Sequence, residues 1–348
     1  QRYATVSRLY WYTDLAAAQH AARAHGKPIL SLRMLGRLDE DLSCANSRFF
    51  RVALYGNAEL SRWLDAHFVL HWSSERAVPR MTIDYGDGRR IETTVAGNSA
   101  HWVLDADGRV LDVVPGLMTP HAFQGELAQA VALAQRLASE PTDAATRARV
   151  LAGYHAQRYE DARFVLGRGL PIRVEPEATP AIAAAERITI SKMVVEAAPV
   201  RSAKLGPLTL ALDDDREMFT TLGRDHLMRH GWPTGDDVLD AQSRALLAAL
   251  RPFDWQRSAP LDAAGTQALA DDFAASLVAD TGLNLAKLAP HIHAELARRA
   301  ARGELDFADV NAWLYESVFL TPASDRWLGL ATPGVFTGLP GDGVTTAG

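Results

Sequence analysis

One cysteine, Cys44, is all that the 348 residues carry. That excludes an internal disulfide in any compartment and leaves compartment unreadable from cysteine usage. No apolar run approaches the ~20 residues that a bilayer-spanning helix needs, and Gln1 onward lacks the basic-then-apolar layout of a secretory leader. The start at Gln1 rather than Met leads to an expectation of export, to the periplasm or beyond the cell, with the cytoplasm as the alternative. Excess basic charge is missing too: net charge is -6, with 36 Lys and Arg interspersed among 42 Asp and Glu. Neither nucleic acid nor a membrane span is therefore expected among its partners. Gly86-Asp87-Gly88 lacks the context of a phosphate loop. Asp213-Asp214-Asp215 lacks the alternating oxygen ligands of a calcium loop, and its place before a helix suits N-terminal capping.

What the chain does have is apolar content, 48% of its residues, enough for a full core and more in keeping with two domains than one. From Thr13 to His25 an Ala-rich body with Thr13 or Asp14 as cap, then Gly26 and Pro28 as stop signals, predicts a helix. Strands are predicted at Pro28–Leu35 and Phe68–Trp72, separated by a helical stretch from Cys44 to Tyr55 and a helix capped by Asn57. Two hairpins follow, one turning at Gly86-Asp87-Gly88, the other at Ala106-Asp107-Gly108-Arg109. A helix with Thr119 as cap and Pro120 at its first position carries Phe123, Leu127, Val131, Ala134 and Leu137 on one stripe. This alternation defines an α/β layer fold over residues 1–140.

Past Ala138–Thr142 the pattern becomes mainly α-helical, over residues 141–348. Helices are expected at Thr142–Leu166, Ala181–Ala198, Asp213–Met228, Val238–Leu250, Thr266–Asp280, Leu283–Arg302 and Phe307–Phe319. Leu170–Glu175 is read as a strand or extended linker, and the Gly-, Pro- and Thr-rich end as extended chain that frays after about Thr337.

The segments "GKPIL", a loop whose one Cys enters a helix, "HFVLHW" and "GNSAHWVLDADGRVLDVVPG" followed by a helix resemble the thioredoxin superfamily over roughly residues 10–138. The fold class is accordingly a thioredoxin-like N-terminal domain followed by a mainly α-helical C-terminal domain. The resemblance places Cys44 where the superfamily has CxxC, with Cys44-Ala-Asn-Ser47 as a CxxS variant, and sets Ser99 at the position of the superfamily's cis-proline. It implies monothiol chemistry with a small thiol, an oxidant or a protein thiol as partner, and no cofactor.

A thiol at a helix start is favoured as thiolate by unpaired backbone N–H groups and the dipole. In this reading Cys44 is the nucleophile, Ser47 and the helix amides stabilise the thiolate, and Arg48 adds positive charge. His101 serves as base if it faces the cysteine. Asn98, Ser99 and Arg37 line the substrate groove. Against it stands a packed Cys44 with no chemistry, since free cysteine is among the most buried residues, in a thioredoxin-like binding module. A third reading is metal binding by His226 and His230, four apart on one helix face, with Asp225 or Asp236 nearby. His291 with His293, two apart, fits a helix poorly as a ligand pair and ranks below it.

Overall fold

The computed structural model describes residues 6–94, 99–139, 143–167, 206–319, 321 and 324. The expected helix at 181–198, the stretch 170–175, Asn98 and the chain end after 324 lie outside the described residues.

Helix α1, Leu15–His25, begins where the Asp14 side chain accepts from Ala17 N at 2.7 Å, and stops at Gly26, whose φ of 64° is left-handed. Glycine adopts that conformation without a Cβ clash. Strand β1 is Trp11–Tyr12, and β2, Ile29–Leu35, is buried along nearly its whole length. Helices α2, Ala45–Ala53, and α3, Ala58–His67, follow, the latter capped by Asn57 as its sequence predicts. Then come β3, Val69–Arg76, and the paired strands β4, Arg80–Asp84, and β5, Arg90–Thr94, which form a sheet of their own. Strand β6, Ser99–Leu104, and β7, Val110–Pro115, make the second hairpin, and α4 runs Pro120–Ser139.

The main sheet is mixed, in the order β1-β3-β2-β6-β7. The strands β1 and β2 run parallel to β3, β6 runs antiparallel to β2, and β7 antiparallel to β6. A strand flanked on both sides and covered on both faces needs a continuous apolar run rather than alternation. Strands β2 and β6 come near that composition, with Ser31, Arg33, Ser99 and His101 as their polar members, whereas β7 lies at the sheet edge and is buried all the same.

Among the described residues past Ser139 the elements are helices, apart from a short hairpin of β8, Phe253–Asp254, with β9, Ala259–Pro260. The helices are α5, Ala144–Gly167; α6, Gly206–Arg229; α7, Ala241–Ala249; α8, Ala263–Leu283; α9, Ala289–Arg302; and α10, Phe307–Trp313. The break expected between residues 280 and 283 is absent. The backbone stays right-handed helical at Leu283, Asn284, Leu288 and Ala289, and a π turn at Asn284–Leu288 carries α8 into α9. The widened turn sits directly before Pro290, which lacks the donor that a regular turn requires.

Both halves share one core, a single cluster of buried residues reaching from Leu9 to Phe319. Polar ties cross the boundary expected near residue 140. Trp102 Nε1 donates to Asn311 Oδ1 at 3.1 Å, Asn284 Nδ2 to the Leu117 carbonyl at 2.6 Å, and Ala58 N to Asp240 Oδ2 at 2.8 Å. The helical half is packed onto the α/β half rather than tethered to it.

Candidate functional site

Strand β2 ends at Leu35, the chain turns at Gly36 with φ 74°, and the loop closes when Cys44 N donates back to the Leu35 carbonyl at 3.2 Å. Cys44 then occupies the N-cap of α2, with φ -57° and ψ 153°. Its Sγ lies 3.0 Å from Ser99 Oγ, at the first residue of β6. Both residues are 0% exposed. Sequence reading brought these two together through the family resemblance, and they are in contact. The sulfur has a helix start but no opening to solvent.

The other expected residues divide. Ser47 Oγ lies 2.7 Å from Ser43 Oγ and 2.8 Å from the Cys44 carbonyl, so its hydroxyl serves the loop and helix backbone rather than the sulfur. Arg48 donates to Thr94 Oγ1 at 3.1 Å, and Thr94 in turn donates to the Ser43 carbonyl at 3.1 Å. Arg37 is exposed, with its Nε 3.0 Å from Asp39 Oδ1, a hydrogen bond that raises its pKa. His101 faces the same side of β6 as Ser99, two residues along. Its Nε2 is bound to Tyr55 Oη at 2.6 Å, its ring centroid is 4.7 Å from those of both Phe50 and Phe123, and burial pushes its pKa down to about 3. The ring is thus a neutral core group hydrogen-bonded to a phenol.

Two further groups near the cysteine carried no signal in the sequence. Arg51, buried, donates to the Glu40 carbonyl at 2.8 Å, the Leu38 carbonyl at 3.3 Å and Ser43 Oγ at 2.9 Å, pinning the loop that delivers Cys44. Tyr315, in the π turn Leu314–Val318 after α10, is buried and its phenol is pushed well above its ordinary pKa, first by burial and then by the fields of Glu75 and Cys44. The helical half thereby adds a phenol to the surroundings of the thiol.

Away from the cysteine, a groove of about 740 Å³ opens between the N-terminal segment, α3 and α7. Arg8, Arg62 and Asp65 stand at it beside apolar Val6, Ala245 and Leu246.

His226 and His230 do approach, with ring centroids 4.5 Å apart. Yet His230 Nδ1 is engaged by the His226 carbonyl at 2.9 Å, and its ring stacks on Trp232 at 4.4 Å. Burial, then the neighbouring His230, lowers His226 to about 4. Among the described residues neither Asp225 nor Asp236 joins them as a third ligand.

A different group of three does converge: Asp112 of β7, His155 of α5 and His293 of α9, each offering one ligand atom, all within 4.8 Å of one another and all buried. His155 Nδ1 and His293 Nδ1 are 3.1 Å apart, and His293 Nδ1 is 3.9 Å from Asp112 Oδ1. Tyr154 donates to Asp112 Oδ2 at 2.5 Å, and Val113 N to Oδ1 at 2.7 Å. Burial raises Asp112, lowers His155 to about 3 and lowers His293 well below its ordinary value; the Arg158 charge favours the deprotonated form of all three, opposing burial at Asp112 and adding to it at the histidines. Arg158 itself is paired with buried Glu126. The neighbours of His293 come from other elements and not from His291, two positions away. The missed sequence signal was Asp112 within Val110-Leu-Asp-Val-Val114, a carboxylate in a buried apolar strand, which always needs a partner.

A scan against protein-family models and searches of curated proteins and of solved structures find no match to this chain. The fold itself defines the class that can be stated, a mixed α/β sheet with a helical half packed on it.

Proposed function

We propose that the chain is a thioredoxin-like protein that acts by binding through its surface and does not exchange disulfides with protein clients. The scaffold reading is supported by the cysteine that opens the helix after β2 and by Ser99 set against its sulfur, the two placements that the family resemblance implies. The observation that carries the functional reading is the 0% exposure of Cys44. Disulfide exchange requires a thiolate in line with an incoming disulfide sulfur, and no protein client reaches this one. The groove beside α3 and α7, with charges of both signs and apolar walls, is the surface that suits a protein or peptide segment. The test is dithiothreitol-driven reduction of a protein disulfide with and without the full chain. Equal rates are expected; an acceleration that Cys44→Ala abolishes overturns the reading.

The N-cap position of Cys44 favours one second reading, monothiol redox chemistry with a small oxidant. The thiolate sulfur attacks a peroxide oxygen, the O–O bond breaks, sulfenic acid forms, and the other oxygen leaves as water after protonation. An outside thiol then restores the cysteine through a mixed disulfide. Stoichiometric peroxide that adds one oxygen to Cys44 in the folded chain, read by intact mass, selects this reading; an unchanged mass removes it.

A further inference from the structure

We infer that Asp112, His155 and His293 form a buried site for one divalent transition metal ion of the zinc class. The inference does not depend on any role for Cys44.

Three observations carry it. The first is donor geometry. Two nitrogens bound to one tetrahedral ion at about 2.0–2.1 Å each lie about 3.4 Å apart, and the two facing Nδ1 atoms are 3.1 Å apart, with the Asp112 oxygen 3.9 Å from one of them. Two imidazoles and one carboxylate are a donor set for zinc-like ions rather than for the all-oxygen preferences of calcium or magnesium.

The second is the pairing of the rings. Without an ion, only one of the two facing Nδ1 atoms can donate to the other, so a single hydrogen bond joins two neutral imidazoles. With an ion on both Nδ1 atoms, each ring is the Nε2–H tautomer and both inward lone pairs are used. Tyr154 already holds the carboxylate from behind through Oδ2, the outer-shell contact that fixes a ligand's orientation.

The third is charge. Asp112 and Glu126, both buried, set two carboxylates against the single guanidinium of Arg158. Buried charge demands compensation, and a divalent cation between Asp112 and the imidazoles supplies it. Because the site is closed and draws on β7, α5 and α9, the ion would clamp the helical half onto the edge of the sheet.

The experiment takes the full purified chain, strips it with a chelator, and dialyses it against Zn2+ before elemental analysis, with Co2+ substitution as a spectroscopic probe. Expected are one equivalent of metal, loss of binding in His155→Asn, His293→Asn and Asp112→Asn, and about 10- to 100-fold weaker binding in Tyr154→Phe. A His226→Ala, His230→Ala double variant should retain the full equivalent. Less than about a tenth of an equivalent in the unaltered chain, or full binding in folded Asn variants, overturns the inference and leaves a hydrogen bond between neutral rings. Should the Asn variants unfold, X-ray absorption of the Co2+ complex of the unaltered chain decides: scattering from two imidazoles supports the site, and its absence overturns it.

Discussion

Cys44 Sγ and Ser99 Oγ sit 3.0 Å apart, one at the start of α2 and the other at the start of β6, with neither residue open to solvent. In the proposed thioredoxin-like reading the contact joins the two positions that would carry chemistry, and it joins them in a buried interior. A thiol held this way has a weak hydrogen-bonding partner and no room for a client. Position and exposure therefore point in opposite directions, and exposure decides which reactions are reachable.

The loop before Cys44 depends on Arg51. Its guanidinium donates to two part-buried carbonyls and to the buried Ser43 hydroxyl. Arg51→Ala removes these donors, so a loss of about 1–3 kcal/mol is expected, measured by urea unfolding. A change under about 0.5 kcal/mol would show that the loop holds without it.

Helices α6 and α8 touch through glycine. A Cβ on Gly223 would stand 2.0 Å from the Val278 carbonyl oxygen, and one on Gly282 2.0 Å from that of Phe219. Backbone cannot yield as a side-chain tip does, so the helices must separate. Gly223→Ala and Gly282→Ala should each cost at least about 2 kcal/mol, although alanine is the better helix former. Thermal melts of both variants check this, and an unchanged or raised Tm would contradict it.

Acid should weaken the fold. Burial lowers His101 to about 3 and His71 to about 4, whereas both take up protons near 6.5 once unfolded. Between about pH 6.5 and 4 the unfolded chain binds more protons than the folded one, so stability falls as pH falls, by up to about 1.4 kcal/mol per pH unit for each ring. The raised pKa values of Asp112 and Glu126 act in the opposite sense as their carboxyls protonate. Urea midpoints at pH 7, 6 and 5 should decrease, and His101→Phe should flatten the slope. A midpoint that rises toward pH 5 would contradict the assignment.

Much of the architecture was legible locally. Asp14, Gly26 and Asn57 announce their helix ends through side-chain or backbone chemistry that needs no tertiary context. Both hairpins declared themselves through glycine turns, and the apolar runs of β2 and β6 marked buried strands. What local pattern cannot show is convergence. His155 and His293 are 138 positions apart, and only the packing of α5 on α9 makes them neighbours. In the same way Tyr315 comes from the far end of the chain to a place where the field of Cys44 acts on its phenol. The continuity of α8 with α9 was missed because the expected helices stop at Asp280 and resume at Leu283, on either side of Gly282. There the glycine admits a neighbouring helix, and the π turn absorbs the proline.

The most direct measurement is the rate at which Cys44 in the folded full chain reacts with a disulfide reagent such as dithiobisnitrobenzoate, set against the same chain unfolded in guanidinium. A packed sulfur predicts reaction at least about a hundredfold slower in the folded state, limited by opening of the structure. Equal rates in the two states would mean that the thiol is reachable, and the surface-binding account would give way to one built on exchange.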